Sequence, residues 1–407
     1  PGEPKGWTDP MASDPADSSG DTPLIERHGP EVDGHGFVNP PIHRGSTVRF
    51  RDLESFESSL EVDLRDGPFT YGLLGTPVER ELESALANLE GGAGAVLLES
   101  GLAAVGVALL AHLAAGDHLL MVDACYAPSR VICTERLAAL GIETTFYDPT
   151  IGAGIEELIR PNTRVLFMES PGSLTFEVQD VRALVEVANR HGLVTIADNT
   201  WATPLLFNPI AHGVDVVVHA LTKYVSGHSD VMLGALVAAD REGWERLKTT
   251  AMDFGHGASP DDAWLALRGL RTLPVRLRRC AETALEVASW LADRPEVEAV
   301  RHPAFEGTPG HAFWKRDFRG ASGLFSALMG PTDRAGFKAF VEGLRHFAMG
   351  YSWGGFESLV LPFNPADRSN QLNFEAGVGL RLSIGLESGD DLVRDLEAGF
   401  DRSRNPG

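Results

Sequence analysis

Short, continuously apolar runs alternate with amphipathic stretches between residues 95 and 239. The runs are, in chain order, AVLLES, HLLMVDA, IETTFYD, RVLFMES, LVTIADN, VDVVVHA and MLGALVAA. Because polar residues do not alternate with apolar ones inside these runs, we expect strands that are covered on both faces. Helical stretches at 101–115, 129–140 and 178–191 lie between several of them. The pattern predicts βαβ crossovers and a mostly parallel, seven-stranded sheet in a three-layer α/β domain.

The segments on either side of this region follow other patterns. The N-terminal side is rich in turn-forming residues and indicates an extended arm, in which STVRF (46–50) is strand-like. A long helical stretch at 261–294, interrupted at Pro274, precedes shorter strands and helices. The chain therefore divides into four predicted parts, which are a disordered leader (1–23), the extended arm (24–74), a large domain (75–265) and a smaller C-terminal α/β domain (266–407).

The charge balance excludes two classes of partner. The chain has 35 basic and 57 acidic residues, which gives a formal net charge of −22. Nucleic acids and anionic membranes bind basic surfaces, so we expect neither as a partner. The predicted leader is polar and proline-rich without the apolar run of a signal peptide, and Met11 is a candidate start. No stretch approaches the roughly 20 apolar residues that span a bilayer.

Cysteine and histidine usage indicates a reduced setting without a metal site. Three cysteines, Cys125, Cys133 and Cys280, cannot form a disulfide framework, and there is no CxxC pair. The histidines form no HExxH motif. We therefore expect a cytoplasmic protein that binds no metal, with Cys125 as a small buried side chain and His228 as a structural hydrogen-bond partner.

Polar side chains follow several of the predicted strands, where open α/β sheets bind their ligands. Lys223 comes just after VDVVVHA, and a lysine drawn towards a core loses its hydration, so it either reaches water or reacts. Asp198 ends LVTIADN as a helix cap or as the counter-ion of a buried cation. Ser100 and Gly101 open a helix whose N-terminus suits a phosphate, although an ordinary turn is the alternative.

An amine, an acid and a helix N-terminus at one sheet edge suit pyridoxal phosphate. This cofactor carries a phosphate and a protonated ring nitrogen, and it binds a lysine as a Schiff base. A dinucleotide is a poorer fit, because GGAGAV (91–96) lacks the third glycine and precedes a strand instead of following one. The sequence therefore predicts a pyridoxal-phosphate site that contains Lys223 and Asp198.

The chain resembles the Cys/Met-metabolism family of pyridoxal-phosphate enzymes from about residue 40 to the C-terminus. The motifs that carry the resemblance are YGLLGTP, LEGGAGAVLLESG, ESPGSLTFEVQD, ADNTWATP and VVHALTKYVSGHSDVMLG. Within the family, ESPGS, RGLRTLPVRLRRC, GHAFWKRDF and YSWGGFESL are most similar to the cystathionine β-lyases. The resemblance implies the aspartate-aminotransferase-like fold and a homotetramer built from two dimers that share active sites.

The resemblance also implies a role for each of a set of residues. Lys223 would hold the cofactor and move protons, Asp198 would pair with the ring nitrogen, and Tyr126 would stack on the ring. The phosphate would be held by the group Ser100, Gly101, Leu102, Thr222 and, from a neighbouring subunit, Tyr71. The α-carboxylate of an amino-acid substrate would bind Arg381, in a pocket lined by Ser352, Trp353 and Tyr126.

Each of these residues also has a plainer interpretation. Tyr126 could be a buried aromatic with a satisfied hydroxyl, and Trp353 could be a core anchor. Arg381 could form a surface salt bridge, although its apolar strand neighbours argue against that.

The chain departs from the family pattern at two positions near the expected phosphate. Relatives usually have an arginine where this chain has Leu73, and many have a serine where it has Ala220. A phosphate carries close to two negative charges. We therefore expect weaker cofactor binding unless another basic residue, from the candidates Arg44, Arg65 and Arg80, takes the place of the arginine.

The activity that the resemblance implies is β-elimination from L-cystathionine to homocysteine, pyruvate and ammonia in methionine biosynthesis, with other cysteine S-conjugates as further substrates. One alternative is a relative that acts at Cγ, such as a cystathionine γ-synthase, a γ-lyase or a homoserine-ester sulfhydrylase. Another is an inactive family member that serves as a binding protein, which the intact Lys223, Asp198, Tyr126 and Arg381 argue against.

Overall fold

The computed structural model describes residues 37–61, 63, 65 and 67–404, so the predicted leader and the first part of the arm lie outside the described residues. Within this range, the larger sheet has seven strands in the order β1-β7-β6-β5-β4-β2-β3. They are β1 (Gly94–Leu98), β2 (His118–Val122), β3 (Glu143–Tyr147), β4 (Thr163–Glu169), β5 (Val194–Asp198), β6 (Val216–Ala220) and β7 (Gly234–Ala238).

Strands β2 to β6 run parallel, and β7 is antiparallel to both of its neighbours, β1 and β6. Every residue of β2 and of β7 is buried, as expected for strands covered on both faces. The predicted mostly parallel, seven-stranded sheet is confirmed.

The described residues between 53 and 270 form eight α-helices, several of which cover this sheet. They are, in chain order, α1 (Leu53–Ser59), α2 (Pro77–Glu90), α3 (Gly101–Leu110), α4 (Ala127–Val131), α5 (Val181–His191), α6 (Thr203–Leu206), α7 (Arg241–Asp253) and α8 (Pro260–Leu270). Local sequence explains the ends of α2, which begins with a Thr76–Glu79 capping box and ends at Gly91 in the left-handed conformation.

A second sheet of five strands follows in the C-terminal part, in the order β10-β11-β12-β9-β8. Its strands are β8 (Val297–Arg301), β9 (Leu324–Met329), β10 (Phe347–Met349), β11 (Ser358–Phe363) and β12 (Val378–Ser383). Its helices are α9 (Leu273–Ala292), α10 (His311–Asp317), α11 (Arg334–Glu342) and α12 (Gly389–Arg404). Strand β12 is central and fully buried, which matters for the site because it carries Arg381.

The two sheets have separate hydrophobic cores that divide within α9. The larger core includes Leu273 and Leu277, whereas residues from Ala284 onwards pack in the smaller one. Pro274 lies in the first turn of α9, where a proline is tolerated, so the predicted interruption of the helical stretch falls between α8 and α9. The domain boundary at residue 265 stays a prediction. Within the described ranges, no helix is long and apolar enough to cross a membrane.

The arm differs from its predicted structure. STVRF does not form a strand, because Thr47 makes an isolated bridge with Tyr71 and no ladder continues from it. The strand prediction was therefore wrong, since strand-forming residues need a partner strand to pair with. The arm instead contains α1, which begins where the Asp52 carboxylate accepts the Ser55 N–H at 2.8 Å.

Candidate active site

The carboxyl ends of β4, β5 and β6 bring the predicted acid and amine to one sheet edge. In the parallel register, Glu169 pairs with Asp198, and Asp198 pairs with Val218. Lys223 follows β6 in a tight turn, in which its N–H donates to Ala220 O at 3.1 Å. The topology alone therefore places Lys223 and Asp198 at neighbouring strand ends.

The Lys223 amine has a neutral partner and a lowered pKa. Its Nζ donates to Ser352 Oγ at 3.0 Å and lies 5.4 Å from the centroid of the Trp353 ring. The pKa of Lys223 is lowered to about 8, first by burial and then by the positive charge of Arg381, while Asp198 acts in the opposite direction. Such an amine is neutral often enough near pH 8 to act as a nucleophile or a base.

Asp198 is a half-buried carboxylate that caps no helix. It accepts the Thr200 N–H at 2.9 Å, and α6 has Ala202 at its N-cap position, so the helix-cap interpretation of Asp198 does not apply. Burial raises the pKa of Asp198, while the hydrogen bonds from Thr200 and the charges of His219 and Lys223 oppose that shift. A carboxylate in this position can pair with a cation at the sheet edge.

The start of α3 is the predicted phosphate site. Ser100 caps this helix, since its Oγ accepts the Ala103 N–H at 3.1 Å. The N–H groups of Gly101 and Leu102 belong to the first two residues of the helix. A helix N-terminus carries unpaired N–H groups and a partial positive charge. A Cβ at Gly101 would lie 2.7 Å from Ala220 Cβ, so glycine lets the helix start approach the end of β6.

Thr222 is less available than the sequence suggests. Its hydroxyl donates to Leu233 O at 3.1 Å and accepts the Leu233 N–H at 3.0 Å. A threonine hydroxyl has a single proton to donate. Thr222 could donate to a phosphate only after that hydroxyl proton turns away from Leu233.

Arg381 is a buried guanidinium bound to backbone carbonyl groups. It lies on β12, is 9% exposed, and its Nη2 donates to the carbonyl oxygens of Tyr351 and Ser352, the latter at 2.9 Å. Its Nε is buried without a hydrogen-bond partner among the described residues, and no carboxylate there forms an ion pair with it. Burial lowers the pKa of Arg381 to about 10. A guanidinium in this state can bind an incoming carboxylate.

The rings near Lys223 are accessible from the site. Tyr126 is 47% exposed, which argues against the interpretation as a buried core aromatic, and burial of its hydroxyl and the nearby Glu169 raise its pKa. Trp353 is half-buried and packs edge-to-face on Tyr224 at 5.4 Å between ring centroids. Both rings can therefore contact a ligand that reaches Lys223.

Glu169 lies near the site, and no role for it was predicted from the sequence. Its Oε2 accepts the Tyr126 N–H at 2.7 Å, and its pKa lies well above the usual value, first because of burial and then because of the charge on Asp198. The signal in the sequence is its position at the end of β4, next to Asp198 in a parallel register. Glu169 thereby orients the backbone that carries Tyr126.

Tyr71 belongs to the arm, where it forms an isolated bridge with Thr47. It is 51% exposed and precedes the short turn Gly72–Leu74 on the arm side. Leu73 is 41% exposed. The basic residues expected to replace the missing arginine are engaged elsewhere, as follows: Arg44 with Asp261, Arg65 with Asp63 and Glu245, and Arg80 over the Phe69 ring.

The cysteines and His228 have structural surroundings. All three cysteines are free and buried, and burial raises the pKa of the Cys125 thiol far above its usual value. A thiol in that state is not a nucleophile. His228 Nδ1 lies 2.6 Å from Ser226 O. Among the residues that the structure describes, no group of three His, Cys, Asp or Glu side chains could hold a metal ion.

These features fit pyridoxal phosphate. Lys223 supplies an amine with a lowered pKa, Asp198 an acid for the ring nitrogen, and the start of α3 N–H donors for the phosphate. Glycine at position 101 lets the start of α3, with its backbone N–H groups, lie directly against the end of β6. The unpartnered Nε of Arg381 adds a position for the carboxylate of an amino acid.

Known proteins are similar to this chain over nearly its whole length. The family model described as "Cys/Met metabolism PLP-dependent enzyme" matches residues 21–401. The chain is 50% identical over 372 residues to the putative cystathionine beta-lyase of Rhizobium johnstonii, covering 90% of this chain and 92% of that one. It is 42% identical over 395 residues to the cystathionine beta-lyase MetC of Escherichia coli, covering 95% and 99%.

A solved structure supports the same assignment. The cystathionine gamma synthase of Xanthomonas oryzae pv. oryzae, in complex with aminoacrylate and cysteine, superposes with a TM-score of 0.86 at 33% identity. The match covers 95% of this chain and 99% of that one. The chain belongs to the family of Cys/Met-metabolism enzymes that depend on pyridoxal phosphate.

Proposed function

We propose that this enzyme is a carbon–sulfur lyase that cleaves L-cystathionine by β-elimination to homocysteine, pyruvate and ammonia, a step of methionine biosynthesis. The observation that carries the proposal is that two cationic groups lie near each other in the site. They are the Lys223 amine, with its pKa of about 8, and the buried Arg381 guanidinium. Together they can hold an amino acid by its carboxylate with its Cα near a base. The relatives named cystathionine beta-lyase support this substrate.

The cofactor would be held at both ends by this chain. Asp198 would bind the ring nitrogen, Gly101 and Leu102 would donate backbone N–H groups to the phosphate, and Tyr126 would cover the ring. Ser100 orders the start of α3 through its cap, and Thr222 would join the phosphate donors once its hydroxyl turns away from Leu233. When bound, pyridoxal phosphate withdraws the electron pair of the broken Cα–H bond.

Lys223 moves the proton in this proposal. It would remove the proton from Cα, the Cβ–S bond would break, and the sulfur would leave as the thiol of homocysteine after it takes up a proton. The remaining three-carbon enamine takes up water and gives pyruvate and ammonia. Ser352 positions the amine, since its Oγ accepts from Nζ at 3.0 Å.

Arg381 would bind the α-carboxylate in a bidentate fashion, with Ser352 and Trp353 lining the pocket. Three carbonyl groups of residues 350–352 already orient this guanidinium. The same geometry accommodates elimination at Cγ, which is why the γ-synthases, γ-lyases and homoserine-ester sulfhydrylases remain the alternative. Trp353 beside Lys223 favours the β-lyase, because the motif around it is most similar to that branch.

The active unit would be a dimer with shared sites, and two such dimers would form a tetramer. Tyr71 is half exposed in the arm, and in the proposed dimer it would reach the phosphate of the neighbouring subunit. The arm also exposes large apolar side chains, namely Phe37, Val38, Leu53 and Leu60 at 67–73%. Exposed apolar groups of this kind are typical of association surfaces. Three reduced, buried cysteines support a cytoplasmic location.

Product analysis with L-cystathionine tests the proposal. Homocysteine with pyruvate is the expected result, whereas cysteine with 2-oxobutyrate would assign the enzyme to the alternative that acts at Cγ. Lys223→Ala serves as the control, because it removes the base while the fold remains. Pyruvate production by that variant at the wild-type rate would contradict the role of Lys223.

A further inference from the structure

Arg276 is a second buried arginine without a carboxylate beside it. It lies in the first turn of α9, is 8% exposed, and burial lowers its pKa to about 10. No Asp or Glu within the described part of the chain contributes to that pKa. Burying a guanidinium without a carboxylate partner is costly in free energy. We therefore expect its N–H groups to form hydrogen bonds that an apolar side chain could not form.

Two of its hydrogen bonds go to the turn that begins with Lys223. Nη1 donates to Tyr224 O at 2.7 Å, and Nη2 donates to Val225 O at 3.2 Å. These carbonyl groups belong to the two residues directly after Lys223. The guanidinium therefore fixes the backbone from which the reactive amine projects.

Its other hydrogen bonds anchor the guanidinium itself. Nη2 also donates to Gly269 O at 2.7 Å, near the end of α8, and Nε donates to Thr272 Oγ1 at 3.0 Å. Arg276 thus has no buried nitrogen without a partner, in contrast to Arg381, whose Nε is unpartnered. Arg381 can therefore bind a ligand through its Nε, whereas all the hydrogen bonds of Arg276 described above go to the protein itself.

Two glycines allow other groups to pack closely against the Lys223 turn. Gly227 has φ +69°, and a Cβ there would lie 1.8 Å from Arg276 Nη1. Gly354 has φ +81°, and a Cβ there would lie 2.9 Å from Tyr224 N. The backbone of the turn is therefore in close contact both with the Arg276 guanidinium and with the loop that contains Gly354.

We propose that Arg276 is a positioning residue for Lys223. It holds the Tyr224 and Val225 carbonyl groups in place, so that the amine can alternate between the cofactor and the substrate while the backbone stays fixed. The proposal rests on the proposed function because turnover is measured with L-cystathionine. A displacement of the amine by about 1 Å can cost about a hundredfold in rate.

Arg276→Met and Arg276→Lys test the proposal in the cofactor-loaded enzyme, with Arg279→Met as the matched control. Arg279 lies on the same helix, is exposed, and donates to Glu387 O outside the Lys223 turn. In Arg276→Met we expect kcat to fall about tenfold to a hundredfold while KM changes little. Arg276→Lys should lie in between, and Arg279→Met should match the wild type.

A second readout does not depend on turnover. The apo-enzyme captures pyridoxal phosphate through Lys223, and the absorbance change gives the rate constant of that capture. We expect Arg276→Met to slow capture by about the same factor as kcat, because both require the amine to reach a fixed position. If the wild type captured the cofactor but did not cleave L-cystathionine, the proposed function would fail and the capture rates would still test Arg276.

Gly227→Ala provides a second variant for the same test if Arg276→Met does not fold. This substitution retains the positive charge and displaces Nη1, and we expect the same loss of kcat and capture rate. The proposal is overturned if a folded variant shows a lower melting temperature with wild-type kcat and capture rate. That result would make Arg276 a purely structural contact.

Discussion

At the scale of single residues, the site combines two cationic groups, Lys223 and Arg381, and neither forms an ion pair with a carboxylate of the described residues. Burial and the charge of Arg381 lower the pKa of Lys223 to about 8. Arg381 is oriented by carbonyl groups and presents a buried, unpartnered Nε. An amino acid brings the missing carboxylate, so substrate binding would neutralise charge in a buried place, where such contacts are strongest.

The lowered pKa of Lys223 makes cofactor capture depend on pH. Since only the neutral amine attacks an aldehyde, capture by the apo-enzyme should rise about tenfold per pH unit below pH 8 and level off above it. An ordinary lysine, with a pKa of 10.5, would continue to gain rate up to pH 10. Stopped-flow absorbance measures the profile, and Lys223→Ala supplies the blank. A rate that still climbs between pH 9 and pH 10 would contradict the shift.

Loss of Arg381 should affect the substrate more than the cofactor. Arg381→Ala removes a charged bidentate contact worth about 2–5 kcal/mol, and kcat/KM should fall accordingly. Arg301→Ala is the control, because Arg301 pairs with Ser326 of β9 from the other side of that strand and donates to Gly307 O. Steady-state kinetics and a cofactor titration measure the two effects. An unchanged kcat/KM in Arg381→Ala would place the carboxylate elsewhere.

At the scale of elements, the phosphate site depends on how closely α3 approaches β6. Gly101 lies at the contact, and Gly234 allows the same approach from β7, where a Cβ would lie 2.2 Å from Ser100 O. The helix start can therefore present N–H groups at the sheet edge beside the Lys223 turn. Larger residues at these glycines would separate the helix from the strands.

Gly101→Ala should weaken cofactor binding, whereas Gly106→Ala in the same helix should not. A Cβ at Gly101 would lie 2.7 Å from Ala220 Cβ, so the helix start must shift. Gly106 has open space around its Cβ position, and alanine there should stabilise the helix by roughly 0.5–1 kcal/mol. Dialysis and reconstitution give the dissociation constant, and thermal unfolding gives the stability. Equal affinities for pyridoxal phosphate in both variants would remove α3 from the phosphate site.

The elements also show which features a sequence can reveal. Continuously apolar runs predicted six of the seven strands because a doubly covered strand excludes polar residues, and the ends of those runs located Lys223 and Asp198. The exception is the edge strand β3, which contains Glu143, Thr144 and Thr145 and is only partly buried. STVRF had the composition of a strand but lacked a partner, which composition does not reveal. The hydrogen bonds from Arg381 and Arg276 to backbone carbonyl groups could not be predicted from the sequence either. Every residue has a carbonyl group, so the residue type does not indicate which carbonyl accepts.

At the scale of the whole molecule, the site lies where the two sheets meet. Lys223 follows the larger sheet, while Ser352 and Arg381 belong to the part with the smaller one. Arg368, from the loop between β11 and β12, donates to Asp123 Oδ2 at 2.7 Å beyond the end of β2. Contacts of this kind hold the two halves in register, so that the amine and the carboxylate-binding group face one substrate.

In the proposed dimer, the missing arginine at Leu73 would belong to the phosphate site of the neighbouring subunit. We expect Leu73→Arg to tighten cofactor binding by about 1.5–3 kcal/mol if the new guanidinium reaches the phosphate. Arg44 is paired with Asp261 within this chain, which favours a real gap at the phosphate. Reconstitution of the apo-enzyme compares Leu73→Arg with the wild type and with Leu73→Met as a neutral control. Equal affinity would mean that another basic group already binds there.

The proposal that two subunits share each active site makes a further prediction about mixed oligomers. Tyr71→Ala and Lys223→Ala should each be nearly inactive, one through the phosphate and the other through the base. Each hybrid dimer of the two would contain one complete site, formed by Lys223 of one subunit and Tyr71 of the other. Random mixing makes half of the dimers hybrid, so unfolding and refolding the variants together should restore about a quarter of wild-type activity. Wild type refolded alone corrects for recovery, and each variant refolded alone gives the background. Activity no higher than that background would show that each subunit completes its own site, and Tyr71 would then have to reach the phosphate within its own chain.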